Sequence, residues 1–234
     1  IQSALFTLLA VYATSMNFTI LEISIVTFLL AVSGAIAQFP IGKISDMYDR
    51  RKVIVFSTFG AAMFSIFAIL VSRQMYLPGS LATSKTWFYI FFILFSFCSL
   101  PMFSLILAHT NDYISKDKFV AAGAGLQFAF GLGAMSGPFL CSIFMDLVGS
   151  NGFFIFLFFF HCIIGFFGIY RMKVRQSVDN PDSQFVAMPQ TITPAGIELN
   201  PTTEHIEEPY SDKVKEILER KGVKYKKDED EMKA

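Results

Sequence analysis

The sequence predicts an all-α, polytopic membrane helical bundle with a mostly disordered cytoplasmic tail. Three observations predict it. Hydrophobic residues make up 53% of the chain and charged residues only 16%, where soluble domains are about a quarter charged. The apolar residues fall in six runs, most of them long enough to cross a ~30 Å hydrocarbon core at about 1.5 Å per helical residue. From Arg171 onward the chain turns polar, and Lys, Glu and Pro replace Phe and Ile. The predicted division is a transmembrane part at 1–172 and a tail at 173–234. The expected partner is the lipid bilayer. A net charge of zero gives no reason to expect nucleic acid.

Residues 1–16 are apolar, interrupted by Ser3, Thr7, Thr14 and Ser15. As a helix they reach roughly 24 Å, short of the bilayer core. The expectation is a transmembrane helix whose start lies upstream, in a chain that is the C-terminal part of a longer protein. Ile1 opens it without the basic n-region of a signal peptide. Asn17-Phe18-Thr19 reads as a tight polar turn. Residues 20–41 form the second span, with Glu22 at the positive end of the helix dipole. Ser33, Gly34, Ala35 and Ala37 are small enough for a neighbouring helix to approach closely. Gln38 and Pro40 sit near the exit. Residues 42–52 are a dense charge block, expected to turn at the membrane surface.

The third span is 53–72, followed by a polar loop at 73–85 with the turn signal Pro78-Gly79. The fourth is 87–108, opening on the interfacial aromatics Trp87 and Tyr89. Pro101 is expected to kink or break it. His109, Asn111 and Asp112 follow at its polar exit. The fifth, 119–148, carries Gly123, Gly125, Gly131, Gly133, Gly137 and Pro138. Gly149-Ser150-Asn151-Gly152 is a turn. The sixth, 153–170, is nearly all Phe, Ile and Leu, and a helix apolar all round suits a lipid-facing position. In the tail, Pro181, Pro189, Pro194, Pro201 and Pro209 without an apolar period predict an extended segment. A short helix is expected near 211–221, with Ser211 as N-cap and Gly222 as terminator.

Charge sets the orientation. Lys43, Arg50, Arg51, Lys52, Lys116, Lys118, Arg171, Lys173 and Arg175 lie in alternate loops and the tail. The opposite loops carry only Arg73 and Lys85. The positive-inside rule therefore places the 42–52 turn and the tail in the cytoplasm, in a multi-pass protein of the cell's inner (plasma) membrane.

Asp46 is the residue with the clearest chemical demand. A carboxylate at a helix C-terminus opposes the dipole. It needs a partner, either Arg50 or Arg51 or the N-terminus of a facing helix. Gly42, four residues earlier, shares its face and leaves room for close approach. His109 with Asp112 could relay protons at a membrane edge, or form an ordinary polar exit. Gln38 and Gln127 could line a transport path or bridge helices. His161, alone in its helix, reads as neutral, hydrogen-bonded and structural. Cys98, Cys141 and Cys162 lie in apolar runs as small hydrophobes. No nucleophile–base pair, metal-ligand spacing or phosphate-binding Gly-x-x-x-x-Gly-Lys loop occurs, so no catalytic residue, metal or cofactor is expected, and the chain is not expected to be an enzyme.

Six spans with a Gly42-x-x-x-Asp46…Arg50-Arg51 turn between the second and third resemble a half of the major facilitator superfamily. Met47 and Asp49 stand where that signature has a basic residue and a glycine. The run Gln38-Phe39-Pro40-Ile41-Gly42 to Lys52 is similar to the C-terminal half of a group of bacterial members. His109 to Tyr113 and Phe185-Val186-Ala187-Met188-Pro189 are similar to that group's helix-ten exit and tail. The resemblance implies a major-facilitator-type six-helix half, truncated helix seven to helix twelve, of a twelve-helix protein built from repeats. It also implies secondary-active transport of a small-molecule substrate by alternating access. Gly42, Asp46, Arg50 and Arg51 would form a cytoplasmic gate against the missing N-terminal half of the same chain. Gly133-x-x-x-Gly137-Pro138 is similar to a family motif of helix five, and at this position it points to close helix packing. A non-transporting membrane sensor or scaffold acting through the tail is the alternative.

Overall fold

The computed structural model describes residues 1–74, 81–114 and 119–174, together with Phe185 and Ala187, with backbone alone at 81–83 and 119–120. Its helices are α1 (Gln2–Ser15), α2 (Ile20–Met47), α3 (Arg50–Gln74), α4 (Leu81–Ser99), α5 (Met102–Asn111), α6 (Phe119–Val148) and α7 (Gly152–Val174). Five stretches are long and apolar enough to cross a membrane: α2, α3, α7, Ala121–Val148 of α6, and Ser84–Asn111, which unites α4 with α5. The fold is an all-α membrane bundle. The helix expected near 211–221 lies outside the described residues, as does the Pro-rich stretch apart from Phe185 and Ala187.

Pro101 breaks the fourth span as expected, splitting it into α4 and α5. The break leaves carbonyls without helical donors, and α1 supplies one. Gln2 Nε2 donates to the carbonyls of Ser99 and Leu100 at 3.1 and 3.2 Å. Leu100 in turn fills the space left by Gly34 on α2, where any Cβ would overlap it. At the opposite end of α2, Asn17 takes a left-handed φ of 59°, which Asn tolerates better than most residues. Thr19 and Glu22 then close a reciprocal capping box. Glu22 also pairs with Lys85 of α4 at 2.6 Å, and the ammonium lies 4.8 Å from the Phe18 ring centre. The α1–α2 corner is thereby fastened to α4.

Three expectations change. The 42–52 block is mostly helix, because Gly42 to Met47 extend α2 and only Tyr48 and Asp49 connect it to α3. Nothing in that run removes a hydrogen-bond donor, and Pro40 disturbs only the turn before it. Residues 81–85, assigned to a loop, form the first turn of α4. The Phe-rich α7 is not wholly lipid-facing. Phe153, Phe154, Phe156, Leu157, His161 and Gly165 are buried, while Phe159, Ile163, Phe166 and Phe167 are exposed. Tyr12 of α1 stacks on Phe153 and meets Phe154 edge-on, at centroid separations of 5.1 and 5.0 Å. Phe88, Phe92 and Phe95 of α4 extend the same aromatic core. Within lipid there is no hydrophobic drive between helices, so such packing and small-residue contacts carry the association. α3 supplies the small residues, burying Ser57, Ala61, Ser65, Ala68 and Ser72 along one stripe.

Candidate functional site: a charged corner at one end of the bundle

The C-termini of α2 and α5 meet the N-terminus of α3. Asp46 lies in the last turn of α2, Asp112 caps the end of α5, and Arg50 opens α3. Each charge sits at the wrong end of its own helix dipole. They relieve one another by meeting. Arg50 Nη2 contacts Asp46 Oδ1 at 2.9 Å, and its Nη1 lies 3.4 Å from Asp112 Oδ1. The Arg50 and Asp112 side chains are only 7% and 10% exposed, against 32% for Asp46. A buried guanidinium between two carboxylates links three helices, by a short charge-assisted bond to Asp46 and a longer contact to Asp112.

Arg51, grouped with Arg50 by sequence, has a different role. Its Nε and Nη2 hold Asp49 in a fork at 3.0 and 2.8 Å. The Arg51 backbone N–H also donates to Asp49 Oδ1 at 3.0 Å, so Asp49 caps the start of α3. The Arg51 guanidinium bonded to Asp49 holds that carboxyl below its usual range, against the opposing effect of partial burial. Sequence reasoning treated Asp49 only as a departure from the signature glycine. An Asp just before a helix was the signal that identifies it as a cap.

Asp112 turns an oxygen to Arg50. His109 packs edge-on to Tyr113 at 5.0 Å and lines a cavity of about 260 Å³ with Arg51, Thr110, Tyr113, Ile114 and Arg171. Asn111 stands half-buried beside them. Gln38 is half-buried on α2, one turn before Gly42, and Gln127 half-buried on α6. The structure does not bring these two together with the charged corner.

A second polar cluster lies deep in the bundle. His161 Nδ1 is 2.7 Å from the Leu157 carbonyl, and Nε2 is 3.0 Å from Ser99 Oγ. A carbonyl can only accept, so Nδ1 carries the proton and, in the neutral ring, Nε2 accepts from Ser99. His161, Ser99, Gln2, Ser3 and Gly133 line a cavity of about 210 Å³ between α1, the end of α4, α5, α6 and α7. Gly137 packs against α1, where an added Cβ would stand 2.8 Å from Ser3 Oγ. Gly133 is different: nothing lies within 4 Å of its Cβ position, and its carbonyl accepts from Ser3 Oγ at 3.3 Å. α6 runs on through Pro138. Gln2 and Ser99 were missed in the sequence. A proline in mid-span exposes carbonyls, which is the signal to search for an amide donor on a neighbouring helix.

The family model of the major facilitator superfamily matches residues 1–216. The chain belongs to the major facilitator superfamily. Among curated proteins it is 28% identical over 160 residues to an uncharacterised MFS-type transporter of Yersinia enterocolitica. It is 26% identical over the same length to uncharacterised MFS-type transporters of Yersinia pestis and Yersinia pseudotuberculosis. These alignments cover 68% of this chain and 37% of each relative. No solved structure matches. Like its superfamily, the chain is a multi-pass membrane protein.

Proposed function

We propose that the full-length protein is a secondary-active transporter that moves a small molecule by alternating access, and that this chain supplies its helices seven to twelve. The observation that carries the reading is Arg50 between Asp46 and Asp112. The three charges join the ends of α2, α3 and α5 at one face of the membrane. A rocking transporter must break and remake contacts at such a face. The cluster orders the surface of this half that would meet the N-terminal half, so disturbing it would shift the balance between closed and open states. The Lys/Arg distribution supports a cytoplasmic position for that end and the tail, and the proposed location is the inner (plasma) membrane. The cavity around Gln2, Ser99 and His161 is the substrate-facing part of this half. The exposed apolar residues of α6, Phe128, Leu132, Met135 and Phe139, suit contact with lipid or with the N-terminal half. Thermal-stabilisation screening of the full-length protein against small metabolites supplies the substrate for the test. Uptake of that compound into proteoliposomes is then compared for the parent and Asp46→Asn. Loss or strong slowing of uptake in a folded variant is expected. Unchanged uptake would remove the gate role, and no uptake of any stabilising compound by the parent would remove the transporter reading.

A further inference from the structure

The geometry points to a tail latch: Phe185, beyond the last helix, is seated in the charged corner and positions the Asp46 carboxylate for Arg50. Its regulatory meaning rests on the gate reading above, but the seat itself does not. Three contacts define the seat. The backbone N–H of Phe185 donates to Asp46 Oδ1 at 2.9 Å, the same oxygen that meets Arg50 Nη2 at 2.9 Å. The Phe185 ring lies over Gly42, so closely that any Cβ there would overlap it. The side chain also packs on a buried cluster of Ala37 and Ile41 from α2, Ile54 from α3, and Met102 and Leu105 from α5. Phe185 therefore meets α2 at Gly42 and Asp46 and packs on the cluster that α2, α3 and α5 share.

The chemistry of the seat is selective. Gly42 provides an opening only a residue without a side chain can provide, and an aromatic ring fills it. Asp46, exposed on one side, takes a backbone donor that any residue other than proline could supply. The ring supplies the holding contact, and the amide fixes the direction of the carboxylate. Because the same oxygen serves Arg50, displacement of the tail removes one of two restraints on the gate carboxylate. The seated ring covers the apolar cluster where α2, α3 and α5 meet. Gly42, assigned by sequence to receive a helix of the other half, receives the chain's own tail.

The test uses full-length protein carrying Ile41→Cys as a reporter in the buried cluster that the ring packs on, labelled with a membrane-impermeant maleimide in detergent. The unsubstituted protein sets the background from Cys98, Cys141 and Cys162. Phe185→Ala is expected to raise reporter labelling about tenfold, since loss of a seated aromatic ring releases that order of holding energy. Gly42→Ala, which evicts the ring, is expected to do the same. The double variant should label no faster than either single one, because both remove one contact. Phe185→Leu should fall between parent and Phe185→Ala. Unchanged labelling in Phe185→Ala, or single effects that multiply in the double variant, would overturn the latch. If Gly42→Ala alone fails to fold, its recovery by added Phe185→Ala supports the latch, and continued failure counts against it. Labelling needs no substrate, so the latch and the transport reading fail separately.

Discussion

Replacing Asp112 by Asn, with and without Arg50→Gln, tests whether Asp112 is an ion-pair partner rather than a proton relay. At 3.4 Å the Coulomb attraction is roughly 5 kcal/mol for an effective dielectric of about 20. Desolvation offsets most of it, since both side chains are nine-tenths buried. Hydrogen bonds to charged groups retain about 1.5–3 kcal/mol net. The 3.4 Å separation lies beyond the usual N–H···O range, so the lower end applies, about 1.5 kcal/mol. Arg50→Gln should cost more, about 2–2.5 kcal/mol, because it also loses the pair with Asp46. That second pair adds less than about 1 kcal/mol, since the Asp46 side chain is one-third exposed and screened. Denaturation of the four proteins in detergent gives the cycle. A coupling energy of about 1–2 kcal/mol is expected. Single effects that add within about 0.5 kcal/mol would refute the bridge and leave Asp112 to His109.

Four further outcomes follow from the same geometry. Ser99→Ala should destabilise the protein by about 1–3 kcal/mol, because it leaves a buried imidazole nitrogen without its partner; a melting temperature equal to the parent's would contradict the Ser99–His161 hydrogen bond. Gln2→Ala should cost about 1–2 kcal/mol by uncovering two carbonyls at the Pro101 break, read by thermal unfolding in detergent. Gly34→Val should cost about 1–3 kcal/mol by displacing Leu100, whereas Gly133→Ala, facing open space, should be tolerated. Asp49 gives a pH dependence. Its carboxyl is depressed in the folded protein, so it contributes stability above its unfolded pKa that is lost as pH falls through the folded value. The stability gap between parent and Asp49→Asn should thus close on acidification, and a gap constant with pH would refute it.

The bundle was largely legible because its signals are periodic or compositional. Six apolar runs, the Pro101 break, Glu22 at the start of the second span and the small-residue patch around Gly34 all depend on short-range chemistry. The buried face of α7 was not legible by hydrophobic contrast, since Phe stands on every side. In such helices polar or small residues mark the packed face, and His161 and Gly165 do so here. The Ser/Ala stripe of α3 was readable on the same ground. The choice between Arg50 and Arg51 was not, because side-chain direction across a two-residue connection depends on the backbone of Tyr48 and Asp49. Phe185 belongs to no periodic pattern, so its seat depends wholly on tertiary contact.

That distinction changes what Asp46 implies. At a helix C-terminus it required an electropositive partner, and the sequence pointed for much of it to residues outside this chain. The structure instead satisfies one Asp46 oxygen twice from within, by the Arg50 guanidinium and the Phe185 amide. A facing helix from the other half is therefore not needed to neutralise the carboxylate. It could engage only the oxygen left over, or compete with the tail for the one already taken. On the proposed gate reading, such competition would couple the tail to gating, because a donor from the other half would have to displace the Phe185 amide from the oxygen it shares with Arg50. The partner that displaces Phe185 must bring either a stronger donor or a side chain that fits over Gly42. In that competition Gly42 and Asp46 act as one unit, so substitutions at the two positions should be non-additive.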